Sequence, residues 1–219
     1  MVKPKTSTTI SPSSDQKTTW KIENVVATGV IHFSEKQMLE NVRPLDLNNM
    51  ARKYPDCEYN PERFPGLVMR IGEPKATCLL FSTGKVVLTG LRSSEEASPV
   101  MAFVIDKVKK SGATVEGEPE FTVQNIVASG DFHGTVDLNE ATIVLENAMY
   151  EPEVFPGLIY RMADPKTVFL IFSTGRIVCT GGKTKESVGE AIEKMERIIR
   201  DAGLFGKAEG EDSAGDEIY

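Results

Sequence analysis

The chain has 219 residues, of which 40% are hydrophobic and 26% charged, and this composition is ordinary for a soluble globular protein. No apolar run approaches the roughly 20 residues that span a bilayer, and the three widely spaced cysteines argue against a disulfide framework or a zinc site. The formal net charge of −7 would argue against a nucleic-acid partner, but the acidic excess lies in residues 111–219 rather than in the first 110.

The chain opens with a polar segment followed by a strand that occurs twice. Residues 1–18 are rich in Ser, Thr and Lys, so we expect a disordered arm. WKIENVVATGVIHF at 20–33 alternates well enough to predict a first strand, and FTVQNIVASGDFH at 121–133 repeats it. The two copies place Asn24 in register with Asn125.

After this strand the copies differ in length. In the second copy DLNEATIVLENA follows soon after His133 and predicts a helix with Asn139 as its N-cap. In the first copy the alignment resumes only at Leu47, which indicates an insertion at about 33–46 that forms a surface loop or an extra helical turn. His32 and His133 lack the nearby ligands of a metal site, so we interpret both as structural.

The longest repeated block reads FPGLVMRIGEPKATCLLFSTGKVVLTG at 64–90 and FPGLIYRMADPKTVFLIFSTGRIVCTG at 155–181. A block that occurs twice in so short a chain indicates a duplicated unit. Each copy opens with a turn that presents a phenylalanine, Phe64 or Phe155, and then predicts strands that break at Glu-Pro or Asp-Pro and at Ser-Thr-Gly.

Each repeat ends in a predicted amphipathic helix. In the second repeat, Thr184 is the expected N-cap and Gly203 the expected C′ residue. The apolar stripe of this helix consists of Val188, Ile192, Met195 and Ile199. The domains predicted are therefore repeat 1 over 19–110 and repeat 2 over 111–206, followed by an acidic, disordered tail over 207–219.

The order of elements predicts the fold class. A strand, a helix, a four-strand meander and a helix occur twice, which indicates an α+β fold with helices on one face of an antiparallel sheet. Both faces of the predicted strands are mainly apolar. Two helices per repeat cover one face and leave the other open, and such an open face usually marks a binding surface. The alternative is that the two repeats pack face to face as a sandwich.

The open face has a chemistry that suits the DNA minor groove. Uncharged donors lie among its aliphatic residues: Asn24, Asn125, Thr89 and Thr180. The A·T edges of the groove present only acceptors, whereas G·C adds an amino donor that such a face would leave without a partner. Basic residues occupy matched positions around the face: Arg70, Lys75, Lys85, Arg161, Lys166 and Arg176.

Three pairs of motifs together resemble the TATA-box-binding protein family over residues 19–204: ENVV/QNIV, YNPERFPGL/YEPEVFPGLIYR and LLFSTGKVVLTG/LIFSTGRIVCTG. The near-identity of the halves and the acidic tail are similar to the archaeal branch. The resemblance implies a two-repeat saddle, that is, a single curved antiparallel sheet with helices on the convex face. It also implies a general transcription initiation factor that binds and bends A/T-rich promoter DNA in the minor groove and recruits transcription factor B and, through it, RNA polymerase. Such a factor would be cytoplasmic and associated with the nucleoid in an archaeon, and nuclear in a eukaryote.

The resemblance also implies roles for individual residues. The intercalating pairs would be Phe64 with Phe81 and Phe155 with Phe172. Asn24 and Asn125 would donate to the central base pairs, with Thr89 and Thr180 beside them. The apolar floor would consist of Val26, Leu79, Val87, Val127, Leu170 and Val178. Phosphates would meet Arg70, Lys85, Arg161 and Arg176. Transcription factor B would dock at the turn formed by Glu151, Glu153 and Val154.

Two other interpretations compete with this one. An enzyme is disfavoured because the sequence has no nucleophile and base pair and no phosphate-cradling glycine motif, and we expect no cofactor and no metal. A module of the same architecture that binds a protein or a small ligand is the second, since the fold alone does not fix the function. The open face would also allow the free chain to form a homodimer.

Overall fold

A computed structural model describes residues 17–34 and 45–206. The predicted arm up to residue 16, residues 35–44 of the predicted insertion and the predicted tail from residue 207 lie outside the described residues.

Ten strands and four helices occur in the described part of the chain. The strands are β1 (Thr19–Phe33), β2 (Cys57–Glu58), β3 (Gly66–Ile71), β4 (Ala76–Phe81), β5 (Lys85–Leu91), β6 (Val115–Asp131), β7 (Ala148–Met149), β8 (Leu158–Met162), β9 (Thr167–Ile171) and β10 (Arg176–Gly182). The helices are α1 (Leu47–Lys53), α2 (Ala97–Lys110), α3 (Leu138–Val144) and α4 (Lys185–Asp201).

All ten strands belong to one sheet, in the order β2-β3-β4-β5-β1-β6-β10-β9-β8-β7. Each repeat contributes a strand, a helix, four further strands and a second helix within the described ranges. The predicted α+β fold with a single antiparallel sheet is therefore confirmed, and the sandwich alternative is wrong.

The chain forms two compact units. The described residues of the first are 22–34, 45–128 and 181–185, and those of the second are 17–21, 129–180 and 186–206. The chain passes between the units inside β1, after Lys21, inside β6, after Ala128, inside β10, after Thr180, and at the start of α4, after Lys185.

In the first unit the strands bury one face and leave the other half-exposed. Along β4, Cys78 and Leu80 are fully buried, whereas Leu79 between them is partly exposed. β5 alternates in the same way, with Val86 and Leu88 buried and Val87 partly exposed. The helix α2 buries its apolar stripe completely, and the Met101 side chain lies against Gly29 of β1. The core therefore lies between α2 and the buried face of the sheet.

The second unit repeats this arrangement. Phe169 and Ile171 of β9 are fully buried, with the partly exposed Leu170 between them. The predicted stripe of α4 is fully buried: Val188, Ile192, Met195 and Ile199. Trp20 packs against Gly189 of α4, where an added Cβ would lie 3.2 Å from the indole ring.

The C-terminus of α4 lies where the sequence predicts it, whereas the N-cap of α3 is a different residue from the predicted one. Gly203 has a φ of 68°, and the next amide, of Leu204, donates to the Ile199 carbonyl at 3.0 Å, which confirms the predicted C′ residue. The N-cap of α3 is Asp137, whose carboxylate accepts the Glu140 amide at 3.0 Å. The prediction of Asn139 was wrong because the earlier carboxylate, on extended backbone, reaches that amide first.

Candidate nucleic-acid interface

The half-exposed face of the sheet in the first unit is formed by cross-strand pairs of apolar residues. Val68 pairs with Leu79, and Leu79 in turn pairs with Val87. Val26 of β1 has the same partial exposure between the buried Val25 and Ala27. We call this surface the open face, together with the equivalent face of the second unit. Leu170 and Val178, which pair with each other, occupy it there.

The asparagine of β1 is held in one orientation by the backbone. The Oδ1 atom of Asn24 accepts the Gly90 amide at 2.7 Å, and its Nδ2 atom donates to Thr89 Oγ1 at 3.3 Å. Gly90 has a φ of 86°, a conformation that favours glycine, so the Thr-Gly pair that ends the repeated block has a local cause. Since Oδ1 is occupied as an acceptor, the NH₂ group is the end of the amide that is left to donate outward.

The second asparagine has the same support. The Gly181 amide donates to Asn125 Oδ1 at 2.8 Å, and Gly181 has a φ of 105°. In both asparagines that were predicted to donate to base pairs, the Oδ1 atom is thus held by the N–H of the glycine that ends the repeated block.

The four predicted wedge residues form two ring pairs with almost the same geometry. The Phe64 and Phe81 rings have centroids 5.7 Å apart at 63°, and the Phe155 and Phe172 rings have centroids 5.9 Å apart at 62°. Such edge-to-face packing favours both rings. Phe64 is 36% exposed in spite of this contact.

A glycine lies under each ring pair. A Cβ added at Gly66 would lie 2.6 Å from the Phe64 ring and 3.1 Å from the Phe81 ring. At Gly157 the corresponding distances are 2.8 Å to Phe155 and 3.1 Å to Phe172. The FPG motif therefore needs a glycine at its third position because any side chain there would collide with the two aromatic rings.

The predicted phosphate-binding residues are all exposed, on strands that border the open face. They are Arg70, Lys85, Arg161 and Arg176. Lys75 and Lys166, which the sequence placed in the same fringe, are exposed in the turns before β4 and β9. Among these six cations, Arg70 contacts a carboxylate, with its Nη2 atom 3.4 Å from both oxygens of Glu58.

Several residues of the open face were not predicted from the sequence. Thr28 and Val30 continue the alternation of β1, and with Phe121 they line a groove of ≈ 370 Å³ beside Phe81 and Val87. Thr28 and Val30 could have been found by extending the alternation that identified Val26. Phe121 could not, because an aromatic residue near a strand end is equally consistent with burial against a helix, as Trp20 shows at the matching position of the first copy.

The predicted partner-binding turn is a tight, exposed turn in the second unit. The amides of Val154 and Phe155 both donate to the Glu151 carbonyl at 2.9 Å. Val154 is 79% exposed, and the carboxylates of Glu151 and Glu153 are also exposed. The turn presents two exposed acids, Glu151 and Glu153, followed by one exposed aliphatic side chain, Val154.

The three cysteines are buried free thiols. Burial raises the pKa of Cys57 to about 11, with a further contribution from Asp56, and raises the pKa of Cys78 and Cys179 to about 12. In residues 17–34 and 45–206 no group of three His, Cys, Asp or Glu side chains could hold a metal ion. No helix in those ranges is long and apolar enough to cross a membrane.

The family model described as "Transcription factor TFIID (or TATA-binding protein, TBP)" matches residues 19–111 and 120–202. The chain belongs to this family. The TATA-box-binding protein of Pyrobaculum neutrophilum is 43% identical over 198 residues, which cover 90% of this chain and 95% of the relative. That of Archaeoglobus fulgidus is 46% identical over 187 residues, with 84% of this chain and 97% of the relative covered.

A solved TATA-binding protein has the same fold. The Methanococcus jannaschii TBP aligns with a TM-score of 0.72 at 39% identity and covers 83% of this chain and 98% of its own. The predicted family, its archaeal type and the two-repeat fold class are therefore confirmed. The two segments matched by the TATA-binding protein family model each contain one of the ring pairs and one of the asparagines.

Proposed function

We propose that the chain is a general transcription initiation factor that binds A/T-rich promoter DNA through its open face and bends it in the minor groove. The observation that carries this proposal is the pair of amides, Asn24 and Asn125, each fixed by a glycine N–H so that its NH₂ group can donate. Two fixed donors on an apolar face match a groove floor that offers acceptors at adenine N3 and thymine O2.

Discrimination against G·C follows from the same geometry. The guanine 2-amino group is a donor, and the face offers it aliphatic side chains and amide donors in place of acceptors. A buried polar group without a partner costs about 1–3 kcal/mol, so each G·C pair at the amides should weaken binding by roughly that amount. The exposed cations, Arg70, Lys85, Arg161 and Arg176, would supply the sequence-independent part of the affinity.

Bending is assigned to the ring pairs. An apolar wedge that enters a base step unstacks it and kinks the duplex toward the major groove. Phe64 with Phe81, and Phe155 with Phe172, are partly exposed aromatic pairs of the size that such a wedge requires. Because the two pairs have the same geometry, we propose two kinks, one for each repeat.

The experiment that tests the function compares two duplexes of equal length. Both carry a donor and an acceptor dye at their ends, and one has a TATA-like centre while the other has G·C pairs only. We expect tight binding and a large increase in energy transfer for the TATA-like duplex alone. Equal affinity for both duplexes, or binding without a change in transfer, would contradict the proposal and favour a module that binds a protein or a ligand.

Recruitment is the second part of the proposed function. We assign the docking of transcription factor B to Glu151, Glu153 and Val154, and RNA polymerase would follow through that factor. An exposed aliphatic side chain that follows two exposed acids in one turn suits a partner surface with an apolar pocket and basic residues beside it.

A further inference from the structure

The two repeats carry the same arginine on the open face but different neighbours on the edge strand. Arg70 of β3 and Arg161 of β8 occupy equivalent positions. The edge strands pair with β3 and β8 in the same register, Glu58 with Val68 and Met149 with Ile159. At one matched position, the first repeat therefore has a carboxylate and the second a thioether.

The two arginines therefore differ in the charge of the side chain beside them. The Arg70 Nη2 atom lies 3.4 Å from both carboxylate oxygens of Glu58. Within the described ranges, the Arg161 side chain has no carboxylate within ion-pair distance, and the Met149 side chain next to it on the sheet is 47% exposed. The edge of the open face is locally neutral in the first repeat and carries one positive charge in the second.

The Glu58 carboxylate lies on the surface that DNA would approach. Val68, its register partner, belongs to the open face through its pairing with Leu79. The side chains of Arg70 and Glu58 are 64% and 69% exposed, so their ion pair is weak and does not prevent Arg70 from meeting a phosphate. The carboxylate would nevertheless remain beside that phosphate and repel it, which reduces the net number of counterions that the first repeat releases.

We propose that Glu58 is a specificity-determining residue that weakens the hold of the first repeat on the DNA backbone and thereby orients the chain on a near-symmetric site. This inference rests on the proposed function. At this edge position the second repeat, whose Arg161 has no carboxylate within ion-pair distance in the described part of the chain, holds the backbone more tightly, so the two halves of a promoter element are not equivalent for the chain.

Other charges differ between the repeats, and the experiment must hold them constant. The turns before Phe64 and Phe155 also differ: Asn60 and Arg63 of the first copy correspond to Glu151 and Val154 of the second. These turns make the second copy the more negative one, whereas Glu58 in place of Met149 makes the first copy the more negative one. An exchange of Glu58 and Met149 alone leaves these turns and the net charge of the chain unchanged. Both side chains are exposed enough for the exchange to leave the core intact.

The test uses the full chain and a TATA-like duplex, with three variants: Glu58→Met, Met149→Glu and the double exchange. The slope of log K against log salt should become steeper by about 0.9 for Glu58→Met and shallower by about 0.9 for Met149→Glu, and it should return to the original value for the exchange. At 0.1 M salt the affinity of Glu58→Met should rise several-fold. Glu190→Met, which removes an exposed carboxylate from α4, is the matched control and should leave the slope unchanged.

Orientation is measured with a dye on Asn48→Cys, an exposed position of α1, and a second dye at one end of the duplex. The three native thiols are buried and do not compete for the label. We expect one preferred orientation for the original chain and a shift toward the opposite orientation for the exchange. If the chain binds the TATA-like duplex but neither slope nor orientation changes, this inference is wrong and the proposed function stands. If the original chain does not bind that duplex, the proposed function fails.

Discussion

Glu196 of α4 is held by two donors from different parts of the second unit. The Thr18 hydroxyl donates to one carboxylate oxygen, and the Arg200 guanidinium donates to the other at 2.8 Å. Burial raises the pKa of this carboxyl group, but the hydrogen bonds from Thr18 and Arg200 and the charge of Arg200 outweigh it and lower the pKa below its usual value of 4.5. This contact fastens the start of the described chain to the last helix.

The lowered pKa gives a pH dependence of stability. Since the carboxyl group binds its proton more weakly in the folded than in the unfolded chain, its contribution is fully present above about pH 4.5 and is lost as the pH falls through the folded value. Glu196→Gln should therefore lower the free energy of unfolding by about 1 kcal/mol at pH 7 and by clearly less at pH 3. Denaturant unfolding at the two pH values measures this.

Glu193→Gln is the control for that experiment. Its carboxylate is 59% exposed and pairs with Lys17 at 3.5 Å, so its loss should change stability little at either pH. If Glu196→Gln lowered the free energy of unfolding equally at pH 7 and pH 3, the ionised carboxylate would not be the cause. A packing defect has the same effect at both pH values.

For single residues, the sequence predicts well which face of a strand a side chain occupies, but it predicts long-range side-chain contacts poorly. Alternation along β4 and β5 was sufficient to separate Leu79 and Val87 from the buried Cys78 and Leu88, because side chains in a strand alternate with a period of two. It could not predict the Thr18–Glu196 contact, whose residues lie 178 positions apart, or the approach of Glu58 to Arg70. Those contacts depend on which elements become neighbours in the folded chain.

The ring pairs depend on two elements each, since one phenylalanine comes from the turn and the other from the end of a strand. Phe155 precedes β8 and Phe172 follows β9, and the pair packs over Gly157. We expect Phe155→Ala with Phe172→Ala to reduce the bend of a TATA-like duplex, because the wedge is removed from one of the two kinks. The salt slope should not change, since neither ring carries a charge. Energy transfer between the ends of the duplex and a salt titration measure the two effects.

Phe103→Ala is the matched control. Phe103 is 37% exposed, close to the exposure of Phe64, but it lies on α2 and packs beside the Lys107 ammonium group instead of on the open face. The control should bend DNA normally. If the double variant also bends DNA normally, the rings are not the wedges.

Element types were more predictable than element boundaries. The stripe of α4 and its Gly203 terminus follow from local spacing and backbone preference, and both were confirmed. The start of α3 was misplaced by two residues because Asp137 and Asn139 are both good caps, and only the extended backbone at Asp137 decides between them. Local propensity ranks such residues almost equally.

For the whole molecule, we propose that the duplication separates DNA binding from recruitment. The turn at Glu151 and Glu153 follows the same Tyr-x-Pro-Glu pattern as the turn at Asn60 and Glu62, but only the second copy has two acids. Glu151→Lys with Glu153→Lys should weaken recruitment of transcription factor B to a promoter complex by roughly ten-fold and leave the bend of the DNA unchanged. A supershift titration with purified factor B measures recruitment.

The double substitution at the equivalent positions of the first copy, Asn60→Lys with Glu62→Lys, reverses one charge and adds another; it is the control and should leave recruitment intact. Loss of factor B in both variants would mean that overall charge, and not the second turn, governs the interaction. The repeat itself made this comparison possible, since one chain provides two versions of each surface on the same backbone.

The order of the strands has a further consequence for an unbound factor. The terminal strands of the sheet, β2 and β7, have two residues each, so each edge offers few free N–H and C=O groups. Long, regular edges are the templates on which sheets from different molecules join into fibrils, and very short ones interrupt that growth. The chain can therefore keep an apolar surface open while each terminal strand of the sheet offers only a short edge to another sheet.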